Sequence, residues 1–369
     1  MTRRLRATPL AVALVLSLVA PPVATATSGE TPTPIYGLRN GALTRRAASG
    51  AYVGTDRRRP GSFSMVRRNA FAALALGSAP VRHPNVEFTY DVSATFPRPL
   101  VGFIQRELDE AATLWNDVFE STVTVRVGLL TEQDGASIAG DAWYERNLPA
   151  IFARLGSRTE RPFIAGGGAY FERQGAWTGN IYLVTASYLD LRDARPEWPQ
   201  VARHEFFHVV QDYMMLRHGR VRPATDSGFD AVQPSHFREG GANAVSYLTA
   251  FRNLGWSSDA LDGMARERTR NARHWARVRT VGDVVALMRA TERSSPPEAF
   301  ELSYAIGALM YEWVLGTYGR EGFTALLGQL STAPTFDDAL RGSIGLTLEE
   351  LYARSAPYVL SVLAPVRNQ

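Results

Sequence analysis

The sequence predicts an α+β chain: a small lobe of mixed strands and helices, two long helices in its middle, and an all-helical lobe after them. Three observations carry this. Val86-Glu87-Phe88-Thr89-Tyr90-Asp91-Val92 alternates apolar and polar residues at period two, the pattern of a half-buried strand. Thr122 to Leu130 is dense in β-branched residues and reads as a second strand. Beyond residue 253 the patterns are mostly helical: Val281 to Thr291, Ala299 to Tyr318, Arg320 to Leu330, Phe336 to Gly342 and Leu348 to Leu363.

Taken in order, the chain opens on a secretory signal. Arg3, Arg4 and Arg6 precede an apolar core from Leu10 to Ala20 and a small-x-small site at Ala24-Thr25-Ala26. The core is too short to span a bilayer, so residues 1–26 are expected to be removed and the protein secreted without a membrane anchor. Residues 27–82 follow as a Gly/Pro/Arg-rich extension or pro-segment with nine Arg against Glu30 and Asp56. Arg45-Arg46, Arg57-Arg58-Arg59 and Arg67-Arg68 are candidate cleavage sites, and Val66 to Leu76 reads as one short helix. The formal charge of +4 belongs to these N-terminal residues. Without them the body from His83 is mildly acidic, which argues against a nucleic-acid partner.

The strand ending at Val92 leads to an amphipathic helix. Leu100, Ile104, Leu108, Ala111, Trp115 and Val118 lie on one stripe, with Arg106, Glu107, Asp109, Glu110 and Asp117 largely opposite. Trp143 to Leu155 is a further helical stretch. Gly166-Gly167-Gly168 has no helix directly after it, so it reads as a flexible loop or strand edge rather than a phosphate cradle; a third strand runs from Asn180 to Thr185. The central helix opens near Pro196 and runs to about Leu216, with Gly219 placed to stop it. A loop joins it to a helix from about His236 to Asn253, which can fold back antiparallel. The resulting division is 83–253 for the mixed lobe with the paired helices and 254–369 for the helical lobe.

With no cysteine in 369 residues, disulfide scaffolds, thiolate metal sites and cysteine nucleophiles are excluded. A composition of 45% hydrophobic and 21% charged residues is that of a chain able to stabilise itself by its core. The chemistry centres on His204-Glu205-Phe206-Phe207-His208. At 3.6 residues per turn the two histidines sit one above the other on a single helix face, positioned to share one zinc ion, with Glu205 close enough to reach a water held there. Catalytic zinc usually takes a third protein ligand. The metzincin pattern would need Gly and His where Gln211 and Met214 stand. The best candidate is Glu239 in His236-Phe237-Arg238-Glu239-Gly240-Gly241-Ala242-Asn243, with His236, Asp226 and Asp230 as further candidates. His83, His218 and His274 have no partner pattern and read as surface or structural.

H-E-x-x-H followed by a helix bearing E-G-x-A resembles the gluzincin metallopeptidases, the group that includes thermolysin and the one-zinc aminopeptidases. The resemblance implies a zincin-like catalytic domain over roughly residues 85 to 365 and one zinc ion per chain on His204, His208 and Glu239. It implies that Asn243, where the thermolysin branch has Asp, orients the first zinc histidine. Glu301 to Leu309 is similar to the aminopeptidase Y-x-x-G helix, which makes Tyr304 an oxyanion donor. Two departures stand out: His236 replaces the tryptophan of W-L-x-E-G, and the exopeptidase motif G-x-M-E-N is missing near Gly168 to Glu172. The expected function is therefore a secreted zinc metallopeptidase cutting peptide or protein substrates internally, with Glu205 as general base. The departures keep open a zincin-fold binding or surface protein without catalysis, and motif alone leaves open hydrolysis of a non-peptide amide or ester.

Overall fold

A computed structural model of the protein describes residues 36–39, 42–45, 60–75, 81–134, 166–174, 176–185, 197–220, 230–250, 277–293 and 297–363. The expected signal sequence, the helix expected from Trp143 to Leu155, Asp226 and His274 lie outside these residues. The architecture is α+β and mostly helical. The N-terminal extension contributes a two-stranded antiparallel ribbon, β1 (Tyr36–Arg39) with β2 (Ala42–Arg45), where the sequence shows no period. It also contributes α1 (Pro60–Ala73), which starts six residues before the expected helix.

The main sheet has four strands in the order β3-β4-β6-β5. β3 (Val86–Val92) runs parallel to β4 (Val123–Thr131), with Val86 opposite Val123 and Val92 opposite Leu129. Their crossover is α2 (Arg98–Trp115), entered through Pro97 and Pro99, the latter tolerated in a first turn where the missing N–H is not needed. β4 continues parallel to β6 (Ala176–Thr185), and β5 (Gly166–Gln174) closes the edge antiparallel to β6. The triple glycine thus lies in an edge strand. Pairing with β6 overrides the weak strand preference of glycine. Central β4 buries Val123, Val125, Val127 and Leu129 almost completely, whereas edge strand β3 alternates burial along its length.

Two helices lie at the centre: α3 (Glu197–Leu216) and α4 (Ser235–Ala250). The chain leaves α3 through Gly219 at φ 79°, as expected of a stop glycine. α5 (Val281–Ala290), α6 (Pro297–Gln329), α7 (Phe336–Ile344) and α8 (Leu348–Leu363) follow. α6 is broken at Gly319, whose φ of 71° and ψ of −176° no helix contains. Apolar side chains from Val66 to Leu363 form a single core, so the sheet and the helical lobe are fused through α3, α4 and α6.

Two polar pairs are exceptions to the amphipathic reading. Glu107 sits on the nominally polar face of α2, yet it is buried and accepts a 2.7 Å bond from the buried Arg203 of α3, which also reaches Glu110 at 2.5 Å. Arg67 of α1 pairs with the fully buried Glu312 of α6 at 2.5 Å. The basic extension is therefore built into the helical lobe at this point.

Candidate metal centre

α3 and α4 run antiparallel, and their facing stripes pair residue by residue. Gln200, His204, His208 and Gln211 recur at spacings of three and four on α3, hence on one face. Gln200 Nε2 donates to Asn243 Oδ1 at 2.9 Å near one end of the seam. At the other, Gln211 Nε2 donates to the carbonyl oxygens of Phe237 and Arg238 at 3.1 and 3.2 Å. Between these tethers Glu239 faces the histidine pair.

The three candidate ligand residues expected from the sequence come together. His204 Nε2 lies 3.0 Å from His208 Nε2, and Glu239 Oε2 lies 3.5 Å from the first and 3.3 Å from the second. Ligand atoms 2.0–2.2 Å from a tetrahedral zinc stand roughly 3.3–3.6 Å from one another. The two edges to Glu239 match that spacing and the His204–His208 edge is about 0.3 Å shorter, and two imidazoles with one carboxylate are donors suited to such an ion. His204, His208 and Glu239 form the group able to hold a metal among the described residues. His236 and Asp230 are not part of it.

Glu239 is held from two sides. Its Oε1 accepts from Arg238 Nε at 2.9 Å, which leaves Oε2 to the histidines. Burial works to raise the Glu239 carboxyl, but His208, Arg238 and hydrogen bonds from both histidines hold it well below the usual range. Glu205, next to His204 and 7% exposed, has the opposite balance. Burial and the neighbouring Glu239 charge raise its carboxyl to about 7, against the pull of His204. The two carboxylates are thus split, one kept ionised and one poised to exchange a proton near neutrality.

Tyr304 of α6 joins the site. Its half-buried ring stacks on His204 with centroids 5.8 Å apart and planes 15° from parallel. Burial, then the Glu239 carboxylate it bonds to, holds its phenol well above the ordinary value, so it stays a donor. A backbone crossing places it there. A Cβ on Gly240 would lie 2.7 Å from the Ser303 carbonyl oxygen and closer still to Gly307; one on Gly307 would lie 2.8 Å from Gly240 Cα. The glycines of E-G-x-A and Y-x-x-G are where α4 and α6 touch, one position from Glu239 and one turn from Tyr304.

Asn243 needs correcting. Its Oδ1 is taken by Gln200 and its Nδ2 donates to the Tyr304 carbonyl oxygen at 3.2 Å, so it ties α4 to two helices instead of orienting a histidine. His204 Nδ1 is buried with no hydrogen-bond partner. His236, a candidate ligand in the sequence, is fully buried between Tyr311 and Tyr352, with Nδ1 3.1 Å and Nε2 2.8 Å from their hydroxyls. Burial lowers its pKa to about 3. His83 and His218 have the structural roles expected: His83 Nδ1 lies 2.9 Å from the Val86 carbonyl oxygen and His218 Nδ1 2.9 Å from Ser331 Oγ.

Gln211 and Arg238 are residues that the motif reading did not select. Gln211 Oε1 lies 2.9 Å from His208 Nδ1, and its position three residues after His208 on the same stripe was available as a signal. Arg238 has only its adjacency to Glu239. No helix among the described residues is long and apolar enough to cross a membrane. No protein-family model, curated protein or solved structure matches the chain.

Proposed function

We propose that the protein is a secreted zinc-dependent metallopeptidase of zincin-like fold that cleaves peptide bonds internally, with His204, His208 and Glu239 holding one zinc ion. The observation that carries this reading is the ligand triangle, with edges of 3.0, 3.3 and 3.5 Å, beside a buried glutamate. Zinc held there would supply an activated water and polarise the scissile carbonyl. Glu205, raised to about 7, accepts the proton of the attacking water and passes it to the leaving amine. Tyr304, kept protonated beside the same carboxylates, donates to the negative charge that develops on the substrate. Arg238 keeps one oxygen of Glu239 occupied, so the carboxylate presents a single oxygen to the metal.

Full-length mature protein is expected to contain about one zinc ion per chain, to cleave a peptide library, and to stop when chelated. Glu205→Gln is expected to keep the zinc and lose at least about 100-fold in turnover. Undiminished proteolysis by that variant would remove Glu205 from the mechanism. Zinc binding with no turnover on peptides, amides or esters would point instead to a metal-holding binding protein.

A further inference from the structure

The two histidines of the metal site do not stand in equivalent surroundings, and one glutamine makes the difference. Gln211 is 1% exposed and its amide faces three groups: His208 Nδ1 at 2.9 Å and the carbonyl oxygens of Phe237 and Arg238 at 3.1 and 3.2 Å. Carbonyl oxygens only accept, so the part of the amide that faces them must be its NH₂ group. The hydrogen-bond network thus fixes which way the amide points. The amide oxygen therefore faces His208, and Nδ1 must carry the proton of the neutral ring. Nε2 of His208 is turned to the other side, 3.3 Å from Glu239 Oε2.

His204 has no such partner. Its Nδ1 is buried with no hydrogen-bond partner among the described residues. A proton there would be a buried donor without such a partner, which is unfavourable.

We propose that Gln211 is a positioning residue that presets the His208 tautomer for metal binding and, through its two bonds to the turn just before Glu239, fixes the second and third ligands as one unit. His204 has no comparable group among the described residues to preset it. The link to metal rests on the zinc reading given above; the tautomer assignment does not.

The test uses metal-free full-length protein at a pH where both imidazoles are neutral, with long-range proton–nitrogen NMR correlations reporting which ring nitrogen of each histidine is protonated. The wild type is expected to show His208 protonated on Nδ1. Gln211→Met is expected to release His208 toward the Nε2–H form. Gln211→Glu, which keeps an acceptor but cannot donate to the two carbonyls, is expected to retain the Nδ1–H form. A wild-type His208 protonated on Nε2 overturns the proposal, and this needs no variant to fold. So does a His208 spectrum that Gln211→Met leaves unchanged. Zinc titration of the same samples is expected to show affinity reduced roughly 10- to 100-fold in Gln211→Met. A moved tautomer with unchanged zinc affinity overturns the coupling to the metal. A wild type with the expected tautomer that takes up no zinc supports the Gln211 assignment and sinks the zinc reading instead.

Discussion

Helix α4 is held on two sides by different physics. Toward α3 the seam consists of side-chain hydrogen bonds at either end, Gln200 to Asn243 and Gln211 to two carbonyls, with the ligand cluster between them. Toward α6 the seam is a backbone crossing at Gly240 and Gly307, where no side chain fits. The first kind of seam sets orientation and leaves room for a site. The second sets distance and admits no variation. A metal centre needs both: one face with space between helices, and an opposite face rigid enough that the space keeps its dimensions.

The sharpest way to break this contrast is to put a side chain into the crossing. Gly307→Val is expected to cost about 3 kcal/mol or more, because the atoms it meets are the His236 carbonyl and Gly240 backbone, which cannot swing aside. Urea denaturation measures this. A Gly307→Val protein with wild-type stability would show that the two backbones are not in contact.

Asn243 joins the two seams and should give a smaller effect. Asn243→Leu leaves Gln200 Nε2 and the Tyr304 carbonyl oxygen without their partner and is expected to cost about 2 kcal/mol. Asn243→Asp restores the residue the thermolysin-like pattern has there, yet it sets a carboxylate against the Tyr304 carbonyl. It is expected to destabilise as well. A gain in both stability and zinc affinity from Asn243→Asp would return this position to the histidine-orienting role.

An effect that vanishes at neutral pH and grows on acidification lies in His236, on the α6 side. Its pKa in the folded protein is about 3 because burial disfavours the charged ring, against about 6.5 in the unfolded chain. Above pH 6.5 neither state binds the proton and stability is unaffected. As pH falls below 6.5 the unfolded chain takes up a proton that the folded protein refuses until about 3, so stability drops by about 1.4 kcal/mol per pH unit in that window. Unfolding free energies of wild type and His236→Gln compared at pH 7 and pH 5 isolate this slope. Equal slopes in the two proteins would show that His236 is accessible to protons in the folded state.

What the sequence made legible follows from how local each signal is. The period-two strand Val86–Val92 and the final helix Leu348–Leu363 are set by their own patterns, and their limits agree with expectation. His204, Glu205 and His208 need only helix geometry. Glu239 was reached through the spacing of a second motif, and its place opposite the pair follows once α4 turns back on α3. Glu107 could not be read as buried, because its neutralising Arg203 lies 96 residues away and only the packing of α2 on α3 brings the two together. Asn243 was misassigned for the same reason. Its neighbours are fixed by the Gly240–Gly307 crossing, a tertiary contact with no trace in local spacing. Gln211 was on the page as a residue that excluded one subclass; its donor and acceptor needed α4 beside it to acquire a role.

The break at Gly319 has a consequence of scale. An unbroken helix from Pro297 to Gln329 would extend roughly 50 Å, and Tyr311 and Phe323 would be separated by roughly 18 Å along it. Their ring centroids are 6.1 Å apart. The chain doubles back at the glycine, so one continuous stretch of sequence reaches α3 twice: Tyr304 against His204, and Phe323 stacked on Phe207 with centroids 5.8 Å apart. Two positions on α3, one turn apart, are thereby gripped from one element, and any lengthening or straightening of that element would move both grips at once.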